Sequence, residues 1–245
     1  MRDKKLPPDL KNQPLSRGAD TRASAVEAFV RQARALAPKR AGEGAGRLIL
    51  ALDATMSRQA TWDLACSIQA EMFDAVGKKD SLNVQLVYYR GFGECRSSKF
   101  VSDTTTLKNL MTRIDCRGGQ TQIGKVFAHA LREHAREKVN AVVFIGDAME
   151  ENVDLLAQKA GEMGLKGVPL FIFQEGHDGA VTTAFKEFAR LSKGAWFRFD
   201  RNAAGELARL LSSVAVYASG GLRALEARNK PEDRLMLEHL GRKPG

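Results

Sequence analysis

The sequence predicts an α/β protein, a doubly wound three-layer sandwich in which a mostly parallel sheet is covered by helices on both faces. Two observations predict it. Short apolar runs recur along the chain, and segments with apolar residues at helical spacing lie between them; strands that alternate with helices make a mostly parallel sheet. A length of 245 residues, 44% hydrophobic, is also ample for a buried core without a disulfide or metal staple.

Residues 1–22 are polar, carry Pro7, Pro8 and Pro14, and are expected to be a disordered tail. Val26, Phe29, Val30 and Ala33 predict a helix over 24–37, ending before Pro38, and PKRAGEGAGR reads as a flexible linker that closes a 24–46 segment. The regular pattern then starts. Leu48 to Leu52 is a continuous apolar run suited to a strand buried on both faces. Leu64, Ile68, Met72 and Val76 predict a helix, and Val84 to Tyr89 a second strand. Glu94 to Phe100 is more polar and suits a sheet edge, with Gly91 and Gly93 bending the chain before it. Leu107, Leu110, Met111 and Ile114 fit a short helix; Ile123, Val126, Phe127, Ala130 and Leu131 fit a longer one. Ala141 to Ile145 is a buried strand, Val153 to Met163 a helix, Val168 to Phe173 a strand containing Pro169, Val181 to Leu191 a helix, and Ala195 to Phe199 a last strand. Leu207, Leu210, Leu211 and Val214 mark the final helix. The folded domain is therefore expected over 47–220, with 221–245 as a charged C-terminal tail.

The net charge of +9 first suggests nucleic acid or an acidic membrane, but residues 47–220 hold 22 basic and 20 acidic side chains, so the excess sits mostly in the ends. With few aromatics and no basic–aromatic pattern, nucleic acid is not the expected partner. No apolar run approaches the ~20 residues that span a bilayer, and the basic start has no apolar region behind it, so neither a membrane span nor a secretory signal is expected. Cys66, Cys95 and Cys116 are scattered and odd in number, as for reduced thiols in a cytoplasmic protein.

In such sheets a ligand sits beyond the carboxyl ends of the strands, where strand order reverses. Asp53, Thr55 and Ser57 follow the first strand at alternate positions and so share one side of an extended chain. Thr121, on a Gly-rich loop that opens a helix, can add a hydroxyl, and Asp147, after the strand at 141–145, a carboxylate. Five oxygen ligands without nitrogen or sulfur suit a hard divalent cation, Mg2+ or Mn2+. Neutral hydroxyls leave such an ion electron-poor, so it should attract an outside carboxylate. The competing reading is that the hydroxyls merely cap helices, with Ser57 and Thr121 as N-caps.

Here the sequence resembles the von Willebrand factor A (VWA) domain. Asp53-x-Thr55-x-Ser57, Thr121 in GGQTQIG and Asp147 in VVFIGDA match, in order, the three pieces of that family's metal-ion-dependent adhesion site (MIDAS). The resemblance covers about 47–218. It implies a Rossmann-like, six-stranded, mostly parallel sheet with one antiparallel edge strand, Glu94 to Phe100. It also implies a magnesium ion held directly by the hydroxyls, aspartates acting often through water, and a shell completed by a partner's acidic residue. The implied function is a protein–protein interaction module without catalysis. Three positions depart from the family pattern: Thr55 replaces the commoner Ser, Met56 stands where many members have Gly, and Gly146 and Ala148 flank Asp147 in place of Thr and Gly.

An alternative is a magnesium-dependent nucleotide-binding or phosphoryl-transfer enzyme using the GGQTQIGK loop, since Gly119 to Lys125 fits G-x-x-x-x-G-K. Against it, Val126 stands where a hydroxyl should hold magnesium, and the stretch before the loop is helical in period. His129 and His134 are five apart, off the spacing of helical zinc ligands. Trp62 and Trp196 read as packing residues near the ends of elements, and Glu150-Glu151 as the acidic first turn of the helix that follows.

Overall fold

A computed structural model describes residues 45–76, 81–200 and 204–241, all within one compact unit, 41–245. The tail at 1–22, the helix at 24–37 and the linker as far as residue 44 lie outside the described residues.

Among the described residues six strands form one sheet: β1 (Gly46–Asp53), β2 (Leu82–Arg90), β3 (Glu94–Val101), β4 (Ala141–Gly146), β5 (Leu170–Glu175) and β6 (Ala195–Phe199). Their order is β3-β2-β1-β4-β5-β6, and every neighbouring pair is parallel except β2 with β3. The polar strand Glu94–Val101 is thus the antiparallel edge, where unpaired backbone and charged side chains are tolerated. Pro169 sits just before β5; it has no N–H to offer, but its carbonyl accepts the Val142 amide at 2.9 Å.

Alternation along the strands sorts the core into two layers. Leu48, Leu50 and Leu52 join Val143, Ile145, Phe171 and Phe173 under α1 (Gln59–Ile68), α2 (Ala70–Ala75), α3 (Thr104–Met111) and α7 (Ala204–Arg228). Ile49, Ala51, Val142, Phe144 and Ile172 face α4 (Ile123–Arg136), α5 (Val153–Lys166) and α6 (Gly179–Leu191). Period-2 burial on both faces is what makes the central strands read as unbroken apolar runs. The expected helix from Leu64 to Val76 is split into α1 and α2 around Gln69. Trp62 lies in the first turn of α1 and packs in the core as expected, 2% exposed, with its indole N–H donating to the Met111 carbonyl at 3.2 Å.

The charged tail expected over 221–245 is corrected. The helical chain runs on through α7 to Arg228, bent at Gly221, and α8 (Pro231–His239) follows. Gly221 has φ +68° and ψ −162°, a conformation that only glycine adopts readily. Beyond the bend Leu225, Met236 and Leu237 are buried in the first core layer, so the segment is part of the domain. The charges over 221–241 misled because they sit on the outer face or are paired inside: Asp233 is fully buried against Arg228.

Candidate metal site

Sheet order reverses between β1 and β4, which places the end of one beside the end of the other. Asp53 ends β1, Thr55 to Ser57 turn away from it, and Asp147 follows β4. The loop from Gly118 to Thr121 arches over the same end, because Gly119 packs on the backbone of Gly91 and the Gln120 amide donates to the Gly91 carbonyl at 3.1 Å. A Cβ on residue 119 would lie 2.2 Å from that carbonyl oxygen, so only glycine permits the approach.

All five expected site residues, Asp53, Thr55, Ser57, Thr121 and Asp147, line one open cleft of about 170 Å³, together with Met56, Gly118, Gly119, Ala148 and Glu150. Asp53 is 4% exposed and accepts the Thr55 amide at 2.7 Å. Among the described residues no cation pairs with it. Burial, and after it the charge of Asp147, raises its pKa against the lowering effect of the Thr55 bonds. The Tyr89 hydroxyl is buried beside Asp53 with no partner at hydrogen-bond geometry, and burial, then the Asp53 charge, raises its pKa too. The Thr55 and Ser57 hydroxyls lie 3.4 Å apart.

The capping alternative is not supported by these positions. The N-caps of α1 and α4 are Arg58 and Gln122, neither with a side-chain cap bond. The Thr121 hydroxyl instead accepts the Glu150 amide at 3.0 Å, while Glu150 Oε2 accepts the Thr121 amide at 2.9 Å. Glu151 accepts the Ile123 and Gly124 amides. Glu150-Glu151 are therefore not the first turn of their own helix, whose cap is Asn152; they cap α4 from across the cleft. This arrangement also occupies the amides that a phosphate would need. Lys125 points away, donating to the Gly93 carbonyl and to Gln122 Oε1, each at 2.8 Å, and the loop is preceded by α3, not by a strand. The geometry gives the nucleotide alternative no phosphate cradle at this loop.

Arg58 is a residue that the motif did not single out. It is 9% exposed; its guanidinium forms an ion pair with Asp147 Oδ2 at 2.9 Å and donates to Glu175 Oε2 at 2.6 Å. Nothing in the local sequence signals burial of an arginine beside Ser57; its partners are 89 and 117 positions away. His129 is half-buried with Nε2 2.9 Å from Gln85 Oε1, and His134 Nδ1 accepts the Val139 amide at 3.2 Å, both away from the cleft residues. Among the described residues no cluster of three His, Cys, Asp or Glu could hold a metal.

Comparison with solved structures accounts for the architecture. A von Willebrand factor type A protein from Catenulispora acidiphila is 15% identical with a TM-score of 0.58, over 71% of this chain and 43% of that one. The fold is that of a VWA domain. Proximal thread matrix protein 1 of the mussel byssus, with a zinc-occupied MIDAS motif, shares the VWA fold at 15% identity and a TM-score of 0.56, over 78% of this chain and 52% of that one. An aerotolerance-related membrane protein from Bacteroides fragilis shares it at 17% identity and 0.56, over 70% of this chain and 98% of that one. This chain thus spans about half, or less, of the first two structures. No protein-family model and no curated protein matches it. Among the described residues no helix is long and apolar enough to cross a membrane.

Proposed function

We propose that this chain is a metal-dependent protein-interaction module without catalytic activity. Asp53, Thr55, Ser57, Thr121 and Asp147 hold Mg2+ or Mn2+, and an Asp or Glu side chain of a partner protein completes the shell. The observation that carries the reading is the convergence of these five oxygen side chains, from three separate segments, on one open cleft around a buried carboxylate that, among the described residues, no cation pairs. A buried, unpaired carboxylate is costly, and a divalent ion supplies the missing charge. A bound ion would supply Lewis acidity toward a carboxylate that enters the cleft. The protein's own part is to keep the hydroxyls in place: the Gly91–Gly119 contact and the Glu150–Thr121 bonds fix the loop that carries Thr121. Met56, 67% exposed at the rim, gives the partner an apolar contact beside the ion.

The donor set contains no nitrogen or sulfur, which favours magnesium or manganese over zinc, although the mussel byssus protein has zinc at its MIDAS motif. Three partly buried free thiols fit a cytoplasmic location; burial pushes Cys66 and Cys116 up to about 11, so both stay protonated at neutral pH. Calorimetry with Mg2+ and Mn2+ tests the proposal. Binding should appear in the native chain and vanish in Asp53→Ala. Tight zinc binding without response to either ion would refute the assignment.

A further inference from the structure

Asp147 follows β4, and Glu175 is the last residue of the neighbouring β5. They stand one position beyond Gly146↔Gln174, the last β4–β5 pair, so parallel register sets their backbones side by side. Two carboxylates at adjacent strand ends, about 5 Å apart in backbone position, repel one another unless a cation intervenes. Arg58 is that cation, at 2.9 Å from Asp147 Oδ2 and 2.6 Å from Glu175 Oε2, and the Thr61 hydroxyl also donates to Glu175 Oε2. The guanidinium is buried for these two contacts at the expense of its Nε, which has no partner. Asp147 also lines the metal cleft, whereas Glu175 does not. A cation in the cleft and the Arg58 guanidinium therefore draw on the same carboxylate from two sides.

We infer that Arg58 is a positioning residue of the metal site, a built-in cation that competes with the divalent ion for Asp147 and is itself restrained by Glu175. The inference rests on the metal reading above. Arg58 holds one Asp147 oxygen, which orients the carboxylate, but its charge repels a divalent ion at the next position; over a few ångströms in a partly buried site the repulsion outweighs the gain in order. Glu175 offsets most of that charge. The free chain consequently holds the ion weakly, and the added negative charge of a partner carboxylate makes it firm. Metal and partner then strengthen each other's binding reciprocally.

The test is a Mn2+ titration of the full chain, with free Mn2+ read by electron paramagnetic resonance, alongside thermal melts. Arg58→Gln should bind Mn2+ roughly tenfold more tightly and Glu175→Gln roughly tenfold more weakly, with the double variant between Arg58→Gln and the native chain. Arg58→Lys keeps the charge and should stay within about twofold of native. Arg58→Gln removes the positive charge that faces buried Glu175 and should melt earlier; the double variant restores the balance and decides the matter where the single one fails to fold. If Asp53→Ala abolishes native binding while neither Arg58→Gln nor Glu175→Gln alters it, the inference is wrong and the metal reading stands. If no variant binds Mn2+, both are wrong. Binding gained only when Arg58 is removed sustains the inference, with Arg58 filling the cation's place in the native chain.

Discussion

Asp233→Ala should strip the domain of a large part of its stability, although it changes one residue in a segment that looks like a tail. Asp233 is fully buried. Its two oxygens accept from Arg228 Nη2 at 2.5 Å, Arg228 Nε at 2.8 Å, Ser213 Oγ at 2.8 Å and the Lys230 amide at 3.0 Å. One carboxylate thus joins the body of α7, the stretch beyond its bend and the start of α8. Removing one partner of a buried ion pair costs about 3–5 kcal/mol, because the other charge is left uncompensated. A domain of this kind has about 5–15 kcal/mol in total. Urea unfolding followed by tryptophan fluorescence checks the value. Trp62 reports from the same core layer as Met236 and Leu237, and with m of about 2 kcal/mol/M the midpoint should fall by roughly 2 M. A loss below about 1 kcal/mol, or a loss of helix signal without change at Trp62, would show that the last two helices dock independently of the core. The pH dependence has a defined sign. Burial acts to raise the Asp233 pKa, but the Arg228, Lys230 and Ser213 bonds hold it below the ordinary 3.8. A depressed folded value means that the contribution is present above the unfolded pKa and is lost as pH falls through the folded one. Asp233→Asn should therefore flatten the acid limb of the stability curve.

Thr121→Ala removes both a candidate ligand and the acceptor of the Glu150 amide, so calorimetry should show Mn2+ binding weakened at least tenfold, with about 1 kcal/mol lost in stability. Lys125→Ala should leave Mn2+ binding unchanged and cost roughly 1 kcal/mol through its bonds to Gly93 and Gln122; loss of nucleotide binding on this change would restore the phosphate-loop reading. Glu151→Ala uncaps α4 and should destabilise by about 1–2 kcal/mol, while Glu151→Gln keeps part of the cap. Asp53→Asn should abolish Mn2+ binding yet stabilise the metal-free chain at neutral pH by about 1 kcal/mol or more, since it removes a buried charge that no cation among the described residues pairs; a destabilised metal-free Asp53→Asn would count against the description of the cleft.

Much of the architecture was legible because its causes are local. The two-sided burial of β1, β4 and β5 writes itself as unbroken apolar runs, and the polar run from Glu94 announces an edge. Asp53, Thr55 and Ser57 could be read together because alternation along an extended chain is a short-range rule. Thr121 and Asp147 joined them only through family resemblance and the rule for strand ends, and tertiary structure put all five on one cleft.

What the sequence by itself determined was the alternation of elements and the identity of the oxygen-bearing residues at the strand ends. Only tertiary structure decided how the charges pair. Glu150 and Glu151 look like the start of their own helix but cap α4, because the two segments meet over the cleft. Residues 221–239 look like a solvated tail but close the first core layer, because a glycine bend turns Leu225, Met236 and Leu237 inward and Arg228 neutralises Asp233 there. Arg58 looks like a surface arginine but sits buried between carboxylates far along the chain. A charge's environment is set by what the fold brings within a few ångströms of it, and Coulomb energy depends on that distance and on burial, not on separation along the chain.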